Sequence, residues 1–346
     1  MKRGLMMNRR TFGGLAGGTA LSALALGGTR RAFAQTPITV AVPNPSAITW
    51  LPMWVAIGEG YFENEGMSLQ VEAVDGSSPV LQAMAAGQAQ IGAPGPGPVL
   101  GARARGLDVK FIYNLYPKSV FGLLVRAELD ATTPEDLRGS VIGVGTADGA
   151  EVSFVQAILT GAGMEEGTDY TFLPVGDGGT AAVAFLRGEI DSYAGAVSDA
   201  AILANRGIEL REITPAEYLG FFGNGYAALE SYMAENPEII HGFGRALVRG
   251  MRFALDPANL ETALDHSAAG NPQEGEDREF AAALLQAAAE RMTPTDAYID
   301  KGFGYMPPEH WKAIHDSSVA SGALDQPLED LESVYTNEFI ELWNET

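Results

Sequence analysis

Three short stretches set acids among glycines and other small residues. They are Gly145-Thr146-Ala147-Asp148-Gly149-Ala150-Glu151, Gly176-Asp177-Gly178-Gly179-Thr180 and Gly195-Ala196-Val197-Ser198-Asp199. Carboxylates in such settings accept hydrogen bonds from a ligand or meet a cation, so Asp148, Glu151, Asp177 and Asp199 are candidate contacts. Thr146 and Ser198 stand beside them. Backbone N–H groups at helix starts attract anions and polar oxygens, and glycines let a ligand approach the chain. Ser77-Ser78, Gly95 to Gly97, Thr146 to Ala150 and Gly178-Gly179 are placed for this, although ordinary capping asks for the same residues. Trp50, Tyr116, Phe222 and Tyr226 have the flat rings that stack on a flat ligand, with core packing the competing role for each. Trp50 lies in a Pro-rich loop outside helical periodicity and is the foremost candidate for stacking.

Catalytic constellations are poorly supported. All four histidines, His241, His266, His310 and His315, fall in the carboxy-terminal part. His310 and His315 are not at the i, i+4 spacing that puts two ligands on one helical face. There is no cysteine, which excludes disulfides, thiol catalysis and Cys metal sites. No Walker A or dinucleotide fingerprint is present, and Gly143-Val144-Gly145 reads as a strand-to-helix turn. No cofactor is implied.

The elements that must position these residues repeat. Val80 to Leu100 runs as a helix ending at Gly87, a short strand and a Pro-Gly loop, Pro94 to Pro98. Val183 to Leu203 repeats the plan, with Gly188 against Gly87 and Gly195–Asp199 against the Pro-Gly loop. A Gly at each helix end suits a left-handed C-cap. The short apolar run Ile38 to Val42 reads as a buried parallel strand. Ligands of open α/β sheets sit at the carboxyl ends of strands, so the repeat predicts two α/β lobes facing one cleft. Ser78 is expected to cap the helix that follows it. The chain beyond about 229 reads as helical, ending in a helix from Val334 to Trp343.

Gly60-Tyr61-Phe62 with Glu65-Gly66-Met67, then Leu81-Gln82-Ala83-Met84-Ala85-Ala86-Gly87 with Ile91-Gly92, resembles the periplasmic solute-binding proteins of ABC importers. The order and spacing are most similar to the group of nitrate, taurine, alkanesulfonate and thiamine-precursor binders, the NMT1/THI5-like proteins. The resemblance implies an α/β, two-lobed periplasmic-binding-protein fold (type II), with two crossover strands at a hinge. It implies lobe one from 35–122 and 229–346, with a helical tail on that lobe, and lobe two from 123–228. Phe121 to Arg126 and Tyr226 to Glu230 would be the crossovers. The implied function is capture of a small molecule for delivery to an inner-membrane permease, by a monomer. An enzyme on the same fold, of pyrimidine-precursor synthase or menaquinone-pathway dehydratase type, is the alternative.

The chain carries 44 acids against 22 bases, a formal net charge of −22. So acidic a surface repels nucleic acid and anionic lipid. Residues 1–34 hold Lys2, Arg3, Arg9, Arg10, Arg30 and Arg31 and no acid. A basic start, the apolar run Leu15 to Leu26 and Ala32-Phe33-Ala34 read as a signal peptide cleaved after Ala34. Asn8-Arg9-Arg10-Thr11-Phe12 resembles the twin-arginine motif, which predicts a periplasmic protein. Arginine is missing from the candidate loops and Lys118 is the only nearby base. This favours a neutral or weakly cationic nitrogen heterocycle, such as a thiamine precursor, and leaves open a small sulfonate- or nitrate-type anion held by helix starts.

Overall fold

The computed structural model describes residues 35–345; the predicted leader, 1–34, lies outside the described residues. Two five-stranded sheets share one topology. The first contains β1 (Thr36–Val42), β2 (Met67–Ala73), β3 (Ile91–Gly92), β4 (Val109–Asn114) and β10 (Gly225–Leu229), in the order β2-β1-β3-β10-β4. The second contains β5 (Phe121–Arg126), β6 (Ser140–Val144), β7 (Tyr170–Pro174), β8 (Ser192–Ala196) and β9 (Leu210–Glu212), in the order β7-β6-β8-β5-β9. Strand for strand the orders match, with β1 equivalent to β6 and β3 to β8. In each sheet three parallel strands are followed by one antiparallel strand. That antiparallel strand is the one the chain reaches after crossing from the other sheet: β5 joins the second and β10 the first. Val40, Val42, Ile142 and Val144 are buried, as strands covered on both faces require.

Among the described residues thirteen α-helices surround the sheets. In the first half they are α1 (Leu51–Gly58), α2 (Tyr61–Asn64), α3 (Ser77–Ala85), α4 (Pro96–Ala104), α5 (Ala150–Gly161), α6 (Ala181–Arg187) and α7 (Val197–Asn205). The rest are α8 (Glu230–Glu235), α9 (Pro237–Leu255), α10 (Leu260–Gly270), α11 (Arg278–Met292), α12 (Pro308–Ala320) and α13 (Ile340–Asn344). Gly87 and Gly188, after α3 and at the end of α6, have φ of 69° and 67°. A side chain disfavours that left-handed conformation, so glycine ends both helices.

The Pro-Gly stretch is not a loop. Helix α4 begins inside it, with Gly95 as N-cap and Pro96 at the first helical position, where a missing N–H costs nothing. Gly195–Asp199 likewise passes from strand β8 directly into α7. Ser78 is not a cap: α3 already starts at Ser77, behind Gly76. The final helix is shorter than the sequence predicts, because Tyr335 bridges to Phe111 of β4 and the Thr336 N–H donates to the Phe111 carbonyl at 3.0 Å, which holds this stretch extended before α13 begins. Within the tail, α9 lies along α1 and α2, and α10 along α1. Gly250 admits this approach, since a Cβ there would meet the Pro52 carbonyl at 2.1 Å. The tail also reaches the second lobe: α11 packs on α7 and α12 on α5. Arg291 at the end of α11 donates to the Ser119 carbonyl at 3.1 Å and lies 3.8 Å from Glu212 beside it. The tail therefore contacts both lobes rather than the first alone.

Candidate functional site

The two lobes enclose a cavity of about 210 Å³. Its walls are strand ends and helix starts. Asn44, Thr49 and Trp50 follow β1, and Ser77 opens α3. Tyr116, Phe121 and Asn224 come from the two crossovers. Thr146 and Glu151 follow β6, Asp177 and Gly178 follow β7, and Ser198 and Asp199 open α7. The tail adds Asn271, Glu274, Leu284 and Ala288.

Among the described residues four carboxyl groups line this space and no Lys, Arg or His does. The Ala196 N–H donates to Asp199 Oδ2 at 2.8 Å, across the first turn of α7. The Thr146 N–H donates to Glu151 Oε1 at 3.2 Å. Asp177 lies over Gly145, where a Cβ would sit 1.9 Å from its Oδ1. Glu274 accepts from the Ile48 N–H at 3.0 Å, a contact between the tail and the loop after β1. These bonds do not offset the loss of water. Burial, then the neighbouring charge of Asp177, pushes Asp199 up to about 7. Burial, with Asp177 and Asp199, pushes Glu151 up to about 8. Asp177 is raised by burial and by Asp75 across the cleft, and Glu274 by burial. Near neutral pH the set therefore holds both neutral carboxyls, which donate, and carboxylates, which accept. Thr146 Oγ1 is buried in the same wall with no hydrogen-bond partner.

Of the residues singled out in the sequence, Trp50, Ser77, Tyr116, Thr146, Asp177, Ser198 and Asp199 line the cavity. Trp50 is also core: it is 1% exposed, its ring meets Tyr226 edge-on at 6.4 Å, and its indole N–H donates to Asn44. Tyr116 is buried with its hydroxyl donating to the Thr49 carbonyl at 2.7 Å. Gly95, Gly97 and Asp148 do not line the cavity. Gly95 and Gly97 face α5, and Asp148 is exposed near Gly76 at the rim. Phe222 packs in the core against Phe111 and Trp311, and Tyr226 is fully buried. Lys118 points away, donating to the Glu290 carbonyl at 3.1 Å.

Sequence reasoning missed Phe121, Asn224 and Glu274. Phe121 is the first residue of a crossover strand and is only half-buried at the cavity. Asn224 Nδ2 donates to the Ala93 carbonyl at 3.1 Å and so ties the return crossover to the end of β3. A residue just before or after a crossover in a cleft protein is the signal that would have found both. Glu274 has no local signal, because its partner Ile48 is remote in sequence.

Among the described residues no helix is long and apolar enough to cross a membrane, and no cluster of His, Asp or Glu is arranged to hold a metal ion.

Residues 48–259 match the NMT1/THI5-like family model. The chain is 28% identical over 309 residues to a riboflavin-binding protein of Chloroflexus aurantiacus, covering 88% of this chain and 86% of that one. It is 24% identical over 234 residues to a formylaminopyrimidine-binding protein of Halalkalibacterium halodurans, covering 63% and 67%. In fold it is similar to the periplasmic aliphatic sulphonate-binding protein SsuA of Escherichia coli, with a TM-score of 0.68 at 17% identity over 88% of this chain and 99% of that one.

Proposed function

On the premise that the chain belongs to the NMT1/THI5-like family of binding proteins, we propose that this solute receptor is exported to the periplasm and captures a flat nitrogen heterocycle for an ABC-type permease. The charged lining carries this reading. Glu151, Asp177 and Asp199 from one lobe and Glu274 from the tail face a space without a single base. A nitrate or sulfonate would enter among acidic groups with no guanidinium to pair with, and its charge would oppose every carboxylate in the lining. A ring bearing N–H donors and ring-nitrogen acceptors meets partners of both kinds, and Thr146 Oγ1 offers another. Phe121, Trp50 and Tyr116 add aromatic surface to the lining, on which a flat ring packs. Both curated relatives are named for heterocycles, riboflavin and formylaminopyrimidine. That the ligand is bound and not turned over is supported by the relatives, both named as binding proteins.

Calorimetric titration and thermal shift with riboflavin, formylaminopyrimidine, nitrate and an alkanesulfonate test the ligand class. A heterocycle at a hundredfold excess over its dissociation constant adds about 2.7 kcal/mol of stability. Stabilisation by the anions and not by either heterocycle overturns the reading.

A further inference from the structure

We infer that Gly95 is a positioning residue for capture: beside Gly97, it forms the seat on which helix α5 of the second lobe closes against helix α4 of the first. The inference rests on the two-lobed receptor reading above and concerns how its closed form is reached.

The local backbone does not ask for glycine at either position. Gly95 has φ −78° and ψ 162°, an ordinary extended conformation open to any residue. Gly97 lies in the first turn of α4, where alanine would be the better helix former by about 1 kcal/mol. Across the cleft the requirement is plain. A Cβ on Gly95 would lie 2.3 Å from the Cβ of Ala150 and 3.4 Å from its Cα. A Cβ on Gly97 would lie 3.0 Å from the Cβ of Ser153. The opposing atoms are fixed to the backbone of α5, so no rotamer change clears them. Ala150 is itself small and buried at the start of that helix.

The contact continues outward. Pro96, Phe154, Phe222 and Ile314 border a small apolar hollow beside Gly97, where α12 also meets α5. Inward, the seat is joined to the cavity wall: the Gly95 N–H donates at 3.2 Å to the hydroxyl of Ser77, which lines the cavity. A side chain at Gly95 would thus wedge the lobes apart at the edge of the ligand space, while leaving each lobe intact. When only a fraction of molecules reaches the competent state, apparent affinity falls by that fraction.

The absence of cysteine from the chain permits a test that needs no ligand. In a full-length Gly97→Cys, Ser153→Cys double variant, diamide takes two electrons and two protons from the paired thiols to form one disulfide. A disulfide needs a Cβ–Cβ separation of about 3.5–4.5 Å; the 3.0 Å at Gly97 reaches it by opening about half an ångström, whereas a Cβ on Gly95, 2.3 Å from that of Ala150, opens the seat by about an ångström or more. Cross-linking within the chain, read by mass and gel shift, is expected. Adding Gly95→Ala should slow it about tenfold or more, in proportion to the lost closed population. Further adding Ala150→Gly should restore it. The same Gly95→Ala change in the cysteine-free chain should weaken riboflavin binding about as much, leave ligand-free melting unchanged, and be rescued by Ala150→Gly. No cross-link, or a Gly95→Ala variant that cross-links at the parental rate, overturns the inference. So does a Gly95→Ala variant that melts early without rescue, which would make Gly95 part of the fold alone. If cross-linking behaves as expected and riboflavin fails to bind, the seat stands and the ligand assignment falls.

Discussion

Asp199→Asn should make the ligand-free protein more stable in alkali and no different in acid. Asp199 is 8% exposed, and its carboxyl lies beside Asp177 and Glu151 in a cavity wall without bases. Its native pKa of about 7 stands above the ordinary value of 3.8. The native state therefore holds this proton more tightly than the unfolded chain does. The stabilisation this provides is complete below about pH 4 and is lost as pH rises through about 7. The gap is about 3 units at about 1.4 kcal/mol each, so up to about 4 kcal/mol disappears across that window. Asparagine is shaped like the protonated acid, and its amide oxygen still accepts from the Ala196 N–H. Below about pH 4 the variant and the parent should melt together, and the gap between them should open steadily from there to about pH 7. At pH 8 the variant should melt higher by about 4–8 °C, taking about 2 °C per kcal/mol for a chain of this size. The assay is thermal unfolding from pH 3.5 to 8.5, with Glu341→Gln as an exposed substitution that removes the same unit of charge. Parallel melting curves for Asp199→Asn and the parent, or a variant that is weaker at pH 8, would refute the reasoning.

Trp50→Ala should cost about 3–5 kcal/mol, because the ring is buried against Tyr226 and the core of the first lobe. Ligand-free melting reads it, and a variant that melts like the parent while binding weakly would return Trp50 to the role of exposed stacking ring. Replacing Arg9 and Arg10 together by Lys should leave the precursor in the cytoplasm; cell fractionation that finds a normal periplasmic yield removes the twin-arginine assignment.

The sheet plan was legible because it is written in local signals. Gly87 and Gly188 end helices in a conformation that only glycine takes without penalty, and each is followed within a few residues by a buried strand. Acids among glycines were legible for the same reason: Asp177 needs the space left by Gly145, and Asp199 caps a helix start. Side-chain direction was not legible. Trp50 follows a Pro-rich segment that resembles an exposed loop, yet its ring turns inward because Asn44 satisfies the indole N–H. Gly95 and Gly97 read as places for a ligand to approach the chain, but what approaches them in this structure is Ala150 and Ser153, two residues remote in sequence. The tail is illegible for a related reason. Helical periodicity shows that α11 has an apolar face and is silent on which lobe receives it, so Glu274 before it carried no mark.

The two copies of the helix–glycine–strand–helix unit have diverged in a way that capping chemistry explains. In the first copy α4 starts Gly95-Pro96-Gly97-Pro98, and two of the donors a helix start leaves unpaired are absent with the prolines. The Gly95 N–H is taken by Ser77, so no acid is required there and none is present. That helix start is free to be small, and it serves as a contact surface for the other lobe. In the second copy α7 starts Ala196-Val197-Ser198-Asp199 with every N–H present. Asp199 answers the Ala196 N–H and in doing so brings a carboxyl to the cavity wall. A carboxylate near a helix start is ordinarily favoured by the helix dipole. Here burial and Asp177 outweigh that preference and raise its pKa. The same local plan thus yields a contact with the other lobe in one copy and a titratable cavity wall in the other.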